Sequence, residues 1–305
     1  MIGRFAPSPS GRMHLGNVFS ALMAWCSVRR QNGKMLLRIE DLDPDRCRTS
    51  YADQIKRDLL WLGLDWDTEA PPQSTRTKVY AAYFARLQKQ GMIYPCYCTR
   101  DQLHSASAPH TSDGQPIYPG TCRRLTDEQR KEQWKVPAWR VTVPDRTVCF
   151  TDGIFGLQTE DLAKECGDFI LRRSDGVYAY QLAVVIDDGE AGVTEVVRGS
   201  DLLGSTARQI WLTEQFGFAV PSFCHIPLLV APDGRRLSKR DRDLDLGVLR
   251  ERFSAEELIG QLAFAAGLTE TDGAISAREL AVHFDRKKIR TEPITVGRDL
   301  FSGRE

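Results

Sequence analysis

Three groups of residues in this chain are of types and spacings that could do chemistry. The first is the stretch PSPSGRMHLGN, Pro7 to Asn17, with two prolines, two serines, two glycines and one histidine between two apolar runs. A strand, a glycine-rich turn and a helix start make an anion site, because the first backbone N–H groups and the helix dipole face the ligand. Gly11 and Gly16 let the backbone come close, and His14 can donate to a phosphate or to a reacting oxygen. A tight βα turn with a surface histidine would use the same residues. The second group is RRLSKRD, Arg235 to Asp241, where Lys239 follows an Asp233-Gly234 turn and can carry a cationic loop, although most such runs are solvated faces. The third is Cys96-Tyr97-Cys98, followed by Tyr118 and Cys122. A C-x-C pair suits Zn²⁺, and Cys122 adds a third thiolate. Tyr118, His104 and His110 are candidates for the fourth ligand, with reduced, unliganded cysteines as the alternative.

The elements that would hold these groups follow from patterning. Ile2 to Ala6 reads as a strand, Asn17 as an N-cap, and Val18, Leu22, Trp25 and Arg29 follow helical spacing up to a stop at Gly33. Lys34 to Ile39 reads as a buried strand, so the chain opens β–loop–α–β, as a parallel α/β sheet does. Helices are expected near Ser50 to Leu62 and Thr75 to Gln90. From Tyr94 to about Arg124 the chain is rich in Cys, Ser, Pro and Thr and poor in aliphatics, which reads as an insertion. Strand-like runs follow at Ala138 to Val143, Thr147 to Thr151 and Phe169 to Arg173, the last turned by Ser174-Asp175-Gly176. Apolar βα texture returns at Tyr178 to Ile186. A strand at Gly192 to Val197 then leads through RGSDLLGS into a helix near Thr206 to Phe216, a second half of the nucleotide fold. The tail reads as helical, with capping boxes at Ser254/Glu257 and Ser276/Glu279.

Length and composition bound the class. At 305 residues, 42% hydrophobic and 27% charged, the chain is ordinary globular material of about two domains. Lys plus Arg equals Asp plus Glu at 41 each, which argues against holding nucleic acid by bulk charge but permits a basic patch on one face. No apolar run approaches the roughly 18 residues that span a bilayer, and no basic start precedes an apolar signal segment, so a cytoplasmic protein without membrane contact is expected. The eight cysteines are then thiols rather than disulfides, with Cys26, Cys47, Cys149, Cys166 and Cys224 expected as buried small hydrophobes.

The first two groups taken together resemble a known family. HLGN in the first βα turn and LSKR after the second half-sheet resemble the two signatures of class I aminoacyl-tRNA synthetases. RFAPSPSGRMHLGN narrows the resemblance to the glutamyl/glutaminyl branch. RIEDLD (Arg38 to Asp43), YQLAVVIDD (Tyr180 to Asp188) and EVVRGSDLLGSTARQ (Glu195 to Gln209) fit that branch in the same order. Asn17, Leu237 and Arg240 depart from the usual signatures. The resemblance implies an α/β chain with the Rossmann-type nucleotide-binding fold of class I synthetases, a zinc-containing insertion and a small C-terminal helical subdomain. The expected division is 1–93 and 176–241 for the two halves of the catalytic domain, 94–175 for the insertion with its zinc module near 96–122, and 242–305 for the C-terminal part.

The same resemblance implies the chemistry. The carboxylate of L-glutamate attacks the α-phosphate of ATP, giving glutamyl-adenylate and pyrophosphate, by positioning and charge neutralisation. His14 and Lys239 would act on the phosphates, with Gly16 and Asn17 completing the ATP site and Mg²⁺ accompanying the nucleotide. Arg4, Phe5, Ala6, Pro7 and Ser8 would lie along the glutamate, Glu40 would hold its ammonium group, and Tyr180 and Arg198 would complete the pocket. A guanidinium fork suits the side-chain carboxylate and rejects glutamine. Taken singly, Glu40 could pair with Arg38 or Arg46 at the surface, Tyr180 could be core and Arg198 a solvated charge. One branch of the family carries C-x-C followed by Y-x-x-x-C, which implies one closed, structural zinc held by Cys96, Cys98, Tyr118 and Cys122. A full glutamyl-tRNA synthetase continues through a large anticodon-binding region, whereas only 64 residues follow Asp241 here. With this length and zinc pattern the chain resembles a truncated branch of the family, and the resemblance implies a monomer that activates glutamate without tRNA and transfers it to queuosine in the anticodon loop of tRNA(Asp); splayed loop bases are what proteins read most readily in RNA. Rival readings are a minimal synthetase charging the 3′ end of tRNA(Glu), a small-molecule ligase or nucleotidyltransferase of this fold, and a catalytically inactive RNA-binding paralogue.

Overall fold

The structure is a computed structural model describing residues 1–99, 102, 117–235, 237 and 244–297. Its centre is a parallel sheet of five strands, β1 (Ile2–Phe5), β2 (Lys34–Leu37), β3 (Thr68–Glu69), β9 (Glu195–Gly199) and β10 (Ser222–Ile226), ordered β10-β9-β1-β2-β3. From β1 the chain runs outward through helix α1 (Leu15–Arg30) to β2. From β9 it runs outward the other way through α6 (Thr206–Phe216) to β10. The direction of winding reverses between β1 and β9, and in such sheets ligands bind beyond the strand C-termini at that reversal.

Alternation along the strands sends side chains to two cores, one on each face. Met35 and Leu37 join the core formed by α1, α2 (Thr49–Trp61) and the C-terminal helices α8 (Ala255–Ala266) and α9 (Ala277–His283), where Val18, Leu22, Leu258 and Leu280 meet. Leu36, Val196 and Phe223 join the opposite core of α3 (Thr77–Lys89), α5 (Tyr180–Glu190) and α6, around Tyr80, Leu182 and Trp211. Helix α1 is buried nearly all round, from Leu15 to Val28, because the sheet covers one side and α9 the other. The C-terminal helices thus complete the core of the first half-sheet, together with α7 (Leu246–Leu249) and strand β12 (Ile294–Thr295), which pairs with β11 (Leu229–Val230).

Between the half-sheets, β4 (Ile93–Cys96), β5 (Ala138–Val141) and β8 (Phe169–Arg172) form an antiparallel sheet. A short helix α4 (Asp127–Lys131) precedes β5, and β6 (Thr147–Asp152) pairs with β7 (Gly156–Asp161) as a hairpin. Just past β6, the Gly153 N–H donates to the carbonyl of Phe223 on β10 at 2.9 Å. A Cβ on Gly153 would come within 3.1 Å of Cys224 Cβ and Sγ, so a larger residue here would crowd this close approach.

Two sequence expectations are corrected. Asn17 is not the N-cap of α1: His14 is, its side chain accepting from the helix while Asn17 Oδ1 accepts from the His14 N–H at 3.2 Å, a capping box placed three residues earlier. Of the five cysteines expected to be buried, Cys149 is exposed on the solvent face of β6 and Cys47 is half-buried. All eight cysteines are free thiols. Among the described residues no helix is long and apolar enough to cross a membrane.

Candidate active site

Beyond the C-termini of β1, β2, β9 and β10 the protein opens into a cleft of about 720 Å³. The loop after β1 supplies Ala6, Pro7 and Ser8, with Arg4 and Phe5 on the strand itself. His14, Gly16 and Asn17 come from the start of α1, Glu40 from beyond β2, Tyr180 from the first turn of α5 and Arg198 from β9. The topology thus brings eleven expected residues from four separate stretches of chain to one wall-to-wall site. Leu237 also lines it, whereas Lys239 and Arg240 lie outside the described residues.

At the helix end, His14 Nδ1 accepts from the Gly16 N–H at 3.1 Å, so the neutral ring carries its proton on Nε2. The helix therefore spends one of its first N–H groups on its own cap, and turns its dipole and the His14 ring toward the cleft. A Cβ on Gly16 would sit 3.1 Å from His14 Cε1 and Nδ1, a tight contact that would make the ring shift by a few tenths of an ångström.

Behind Arg4 and Glu40 of the cleft wall lie buried charges that alternate in sign. Arg38, 1% exposed, donates to Asp188 at 2.6 Å and Glu40 at 3.2 Å and lies 3.8 Å from Asp187. Arg4 Nε faces both Asp188 oxygens at 3.3 and 3.4 Å, and its Nη1 reaches the Val197 carbonyl at 3.5 Å. Arg4 Nη2 has no hydrogen-bond partner among the described residues and remains to serve a ligand. Burial works to raise the Asp188 pKa, but Arg38 and Arg4 hold it below the usual carboxylate range. Burial dominates at Glu40, whose pKa is raised despite Arg38 and Arg4. Glu40 does pair with Arg38, yet inside the cleft wall and not at the surface.

Arg198 is held differently. Its Nε donates to His225 Nε2 at 3.0 Å, Nη1 to Gln209 Oε1 at 2.7 Å, and Nη2 to the Leu202 carbonyl at 3.2 Å and Thr206 Oγ1 at 2.9 Å. The Tyr180 hydroxyl is a further partner, and burial lowers the pKa of the guanidinium. Burial raises that of Tyr180 in turn. A two-armed grip on a substrate carboxylate, as expected of Arg198, would require it to release a protein partner; the donors still available belong to Arg4. Behind Arg198, His225 is fully buried, and its Nδ1 lies 2.6 Å from Asp152 Oδ2 at the end of β6.

In the insertion, Cys96, Cys98 and Cys122 place their sulfurs within 4.8 Å of one another. The Tyr118 hydroxyl lies 3.5 Å from Cys96 Sγ and 3.6 Å from Cys98 Sγ. Three sulfurs and one oxygen converging on a point form a donor set for a tetrahedral metal ion. Arg140 donates to Cys96 Sγ at 3.3 Å and stacks over the Tyr118 ring at 3.9 Å. Burial pushes the Cys98 thiol up to about 12. Cys96 is also opposed by burial, but Tyr118 and Arg140 bring it below the usual thiol range. His104 and His110 lie outside the described residues.

Sequence reasoning did not single out Arg38, Asp188, His225 or Asp152 for the site. The available signal was charge out of place: Arg38 inside LLRIE and Asp187-Asp188 closing the apolar run AVVI. Nothing local marks His225 or Asp152.

The reversing parallel sheet and its cleft agree with comparisons to known proteins. Residues 1–272 match the family of class I tRNA synthetases (E and Q), catalytic domain. The glutamyl-Q tRNA(Asp) synthetase of Symbiobacterium thermophilum is 48% identical over 97% of this chain and 96% of its own length. That of Nitratidesulfovibrio vulgaris is 49% identical over 87% and 86%. A glutamate tRNA ligase of Elizabethkingia meningosepticum, solved with its amino acid, superposes with a TM-score of 0.82 at 27% identity, covering 98% of this chain and 68% of that one. The chain belongs to the class I tRNA synthetase family for glutamate and glutamine, on the branch of the glutamyl-Q tRNA(Asp) synthetases.

Proposed function

We propose that the protein activates L-glutamate with ATP, without needing tRNA, and transfers the glutamyl group to queuosine in the anticodon loop of tRNA(Asp), as a monomer in the cytoplasm. The observation that carries this reading is the pairing of opposite charges in one cleft: Arg4 and Arg198 on one side and Glu40 on another, at the mouth of a capped helix. A zwitterion with a second carboxylate is the ligand such a cleft complements.

In the activation step a glutamate α-carboxylate oxygen bonds to the α-phosphorus of ATP as the bond to pyrophosphate breaks. Glu40 binds the ammonium group, and Arg4 offers the available guanidinium donors to the side-chain carboxylate, with Arg198 and Tyr180 closing the pocket. Phe5 to Ser8 line the backbone of the amino acid. His14 donates to the phosphates, and Gly16 and Asn17 keep it in place through the cap. Lys239 is assigned a second phosphate contact, and Mg²⁺ enters with the nucleotide. Cys96, Cys98, Tyr118 and Cys122 fit one structural Zn²⁺, which would pin β4 to the segment beyond it, with Arg140 balancing the negative charge of the ligands. In the transfer step a hydroxyl oxygen of queuosine attacks the activated carbonyl, and AMP leaves.

The test is glutamate transfer to bulk tRNA from a strain that makes queuosine and from one that cannot, with purified protein, ATP, Mg²⁺ and labelled glutamate. Label on the queuosine-containing pool alone is the expected result. Equal label on both pools would assign ordinary charging of tRNA(Glu), the activity suggested by the solved glutamate tRNA ligase.

A further inference from the structure

The pair His225–Asp152 is buried, contributes no atom to the cleft and has no place in the chemistry above. Its hydrogen-bonding logic nevertheless ends at Arg198. Arginine can only donate, and an ionised Asp152 can only accept. Burial works against ionised Asp152, yet His225 and the backbone N–H groups of Ile154 and Phe155 hold its pKa below the usual range. Between a pure donor and a pure acceptor, one form of the imidazole satisfies both neighbours: neutral, with the proton on Nδ1 toward Asp152 at 2.6 Å and the lone pair on Nε2 toward Arg198 Nε at 3.0 Å. Either other form of the ring would set an N–H against the Arg198 N–H. Thr206 Oγ1, 3.2 Å from Nε2, accepts from Arg198, and its one proton can go to the ring or to the Leu202 carbonyl at 3.3 Å; given to the ring, it is compatible with the same tautomer. The charged groups facing His225 are Asp152 from β6, Arg198 from β9 and Asp201 from the turn beyond it.

We infer that Asp152 and His225 are positioning residues for the amino-acid pocket: Asp152 selects the imidazole tautomer, and that tautomer orients the guanidinium of Arg198, which closes the pocket in the cleft wall beside Arg4. The device joins the insertion to the amino-acid pocket, because Asp152 stands at the end of a hairpin strand docked on β10 through Gly153. This rests on the cleft being the glutamate site.

Asp152→Asn perturbs the tautomer. Oδ1 can still accept from the N–H groups of Ile154 and Phe155, each at 3.0 Å, and from the His225 backbone N–H at 3.2 Å, which loses its 3.0 Å contact to Oδ2; the new amide nitrogen donates to His225 Nδ1 and drives the proton to Nε2, against Arg198. In glutamate-dependent ATP–pyrophosphate exchange, the KM for glutamate should rise about tenfold or more, the cost of one misdirected buried donor, with the KM for ATP unchanged. His225→Phe should do the same. His225→Gln, whose side-chain oxygen can stand in for Nε2, should recover most of the affinity. A native glutamate KM in folded Asp152→Asn overturns the inference. Absence of glutamate-dependent exchange in the native protein would instead refute the assigned reaction. Nitrogen NMR of the native protein reads the tautomer independently of activity and of variant folding. A neutral Nδ1–H ring for His225 at pH 7 is expected, and an Nε2–H ring or an imidazolium there overturns the inference.

Discussion

Replacing Asp188 with Asn removes one negative charge from a site where two buried guanidinium groups converge. Asp188 accepts from Arg38 at 2.6 Å and from Arg4 at 3.3 Å, and the pair it makes with Arg38 is almost wholly shielded from water. Arg38 would be left with Glu40 at 3.2 Å and Asp187 at 3.8 Å, and Arg4 Nε with no carboxylate. Removing one partner of a buried pair costs about 3–5 kcal/mol, a large part of the roughly 5–15 kcal/mol that hold a domain together. The same exchange at Asp65, whose pair with Arg29 is partly exposed, should cost below about 1 kcal/mol. Urea denaturation followed by tryptophan fluorescence at pH 7 measures both. The sign with pH is fixed: because the Asp188 pKa is lowered from 3.8, its contribution is complete above that value and is lost as pH falls through the lowered pKa. Native protein and variant should therefore converge in strong acid. The KM for glutamate should rise as well, since Arg4 loses the carboxylate that aims it. A loss below about 1 kcal/mol at pH 7 with an unchanged glutamate KM would refute the view that this network both supports the sheet and orients Arg4.

Three further outcomes follow from the site. Gly16→Ala should raise the KM for ATP, because its Cβ, 3.1 Å from the His14 ring, makes that ring shift; pyrophosphate exchange checks this. Cys122→Ser should remove most of the bound zinc, expected at about one ion per chain in the native protein, as measured by atomic emission after dialysis, and should loosen the insertion toward proteolysis while β1 and α1 stay protected. Glutamate affinity, measured by calorimetry, should fall as pH is lowered through the raised pKa of Glu40, starting at higher pH than an ordinary glutamate near 4.5 would give, since only the carboxylate form pairs with an ammonium group.

Much of this was legible because its signals are local. Helix α6 spans the expected residues 206–216, and the capping boxes at Ser254 and Ser276 are formed, since a cap is a matter of four consecutive residues. The Cys96, Cys98, Tyr118 and Cys122 cluster was readable from spacing together with family resemblance. The loop between β1 and α1 was also placed, but its cap was misplaced, because histidine is not among the usual cap residues and only the fold of its ring onto Gly16 discloses it. Strand β7 escaped notice, since Gly156–Asp161 has little apolar alternation and pairs along one edge only. The carboxylates that meet Arg38 and His225 lie far off in sequence, Asp188 being 150 residues from Arg38 and Asp152 73 residues from His225. Topology, not any local pattern, sets those meetings.

The joint between β1 and β9 constrains how the chain can fold during synthesis. The Ile2 N–H donates to Thr194 Oγ1, a partner 192 residues away, and Gly3 stands opposite Glu195. At ribosomal rates of about 5–20 residues per second, that stretch takes roughly 10–40 s to emerge. Throughout that interval β1 and β2 have an open hydrogen-bonding edge, while the whole insertion is made and can fold behind them. The active cleft, which straddles that joint, is therefore among the last features to form in the nascent chain.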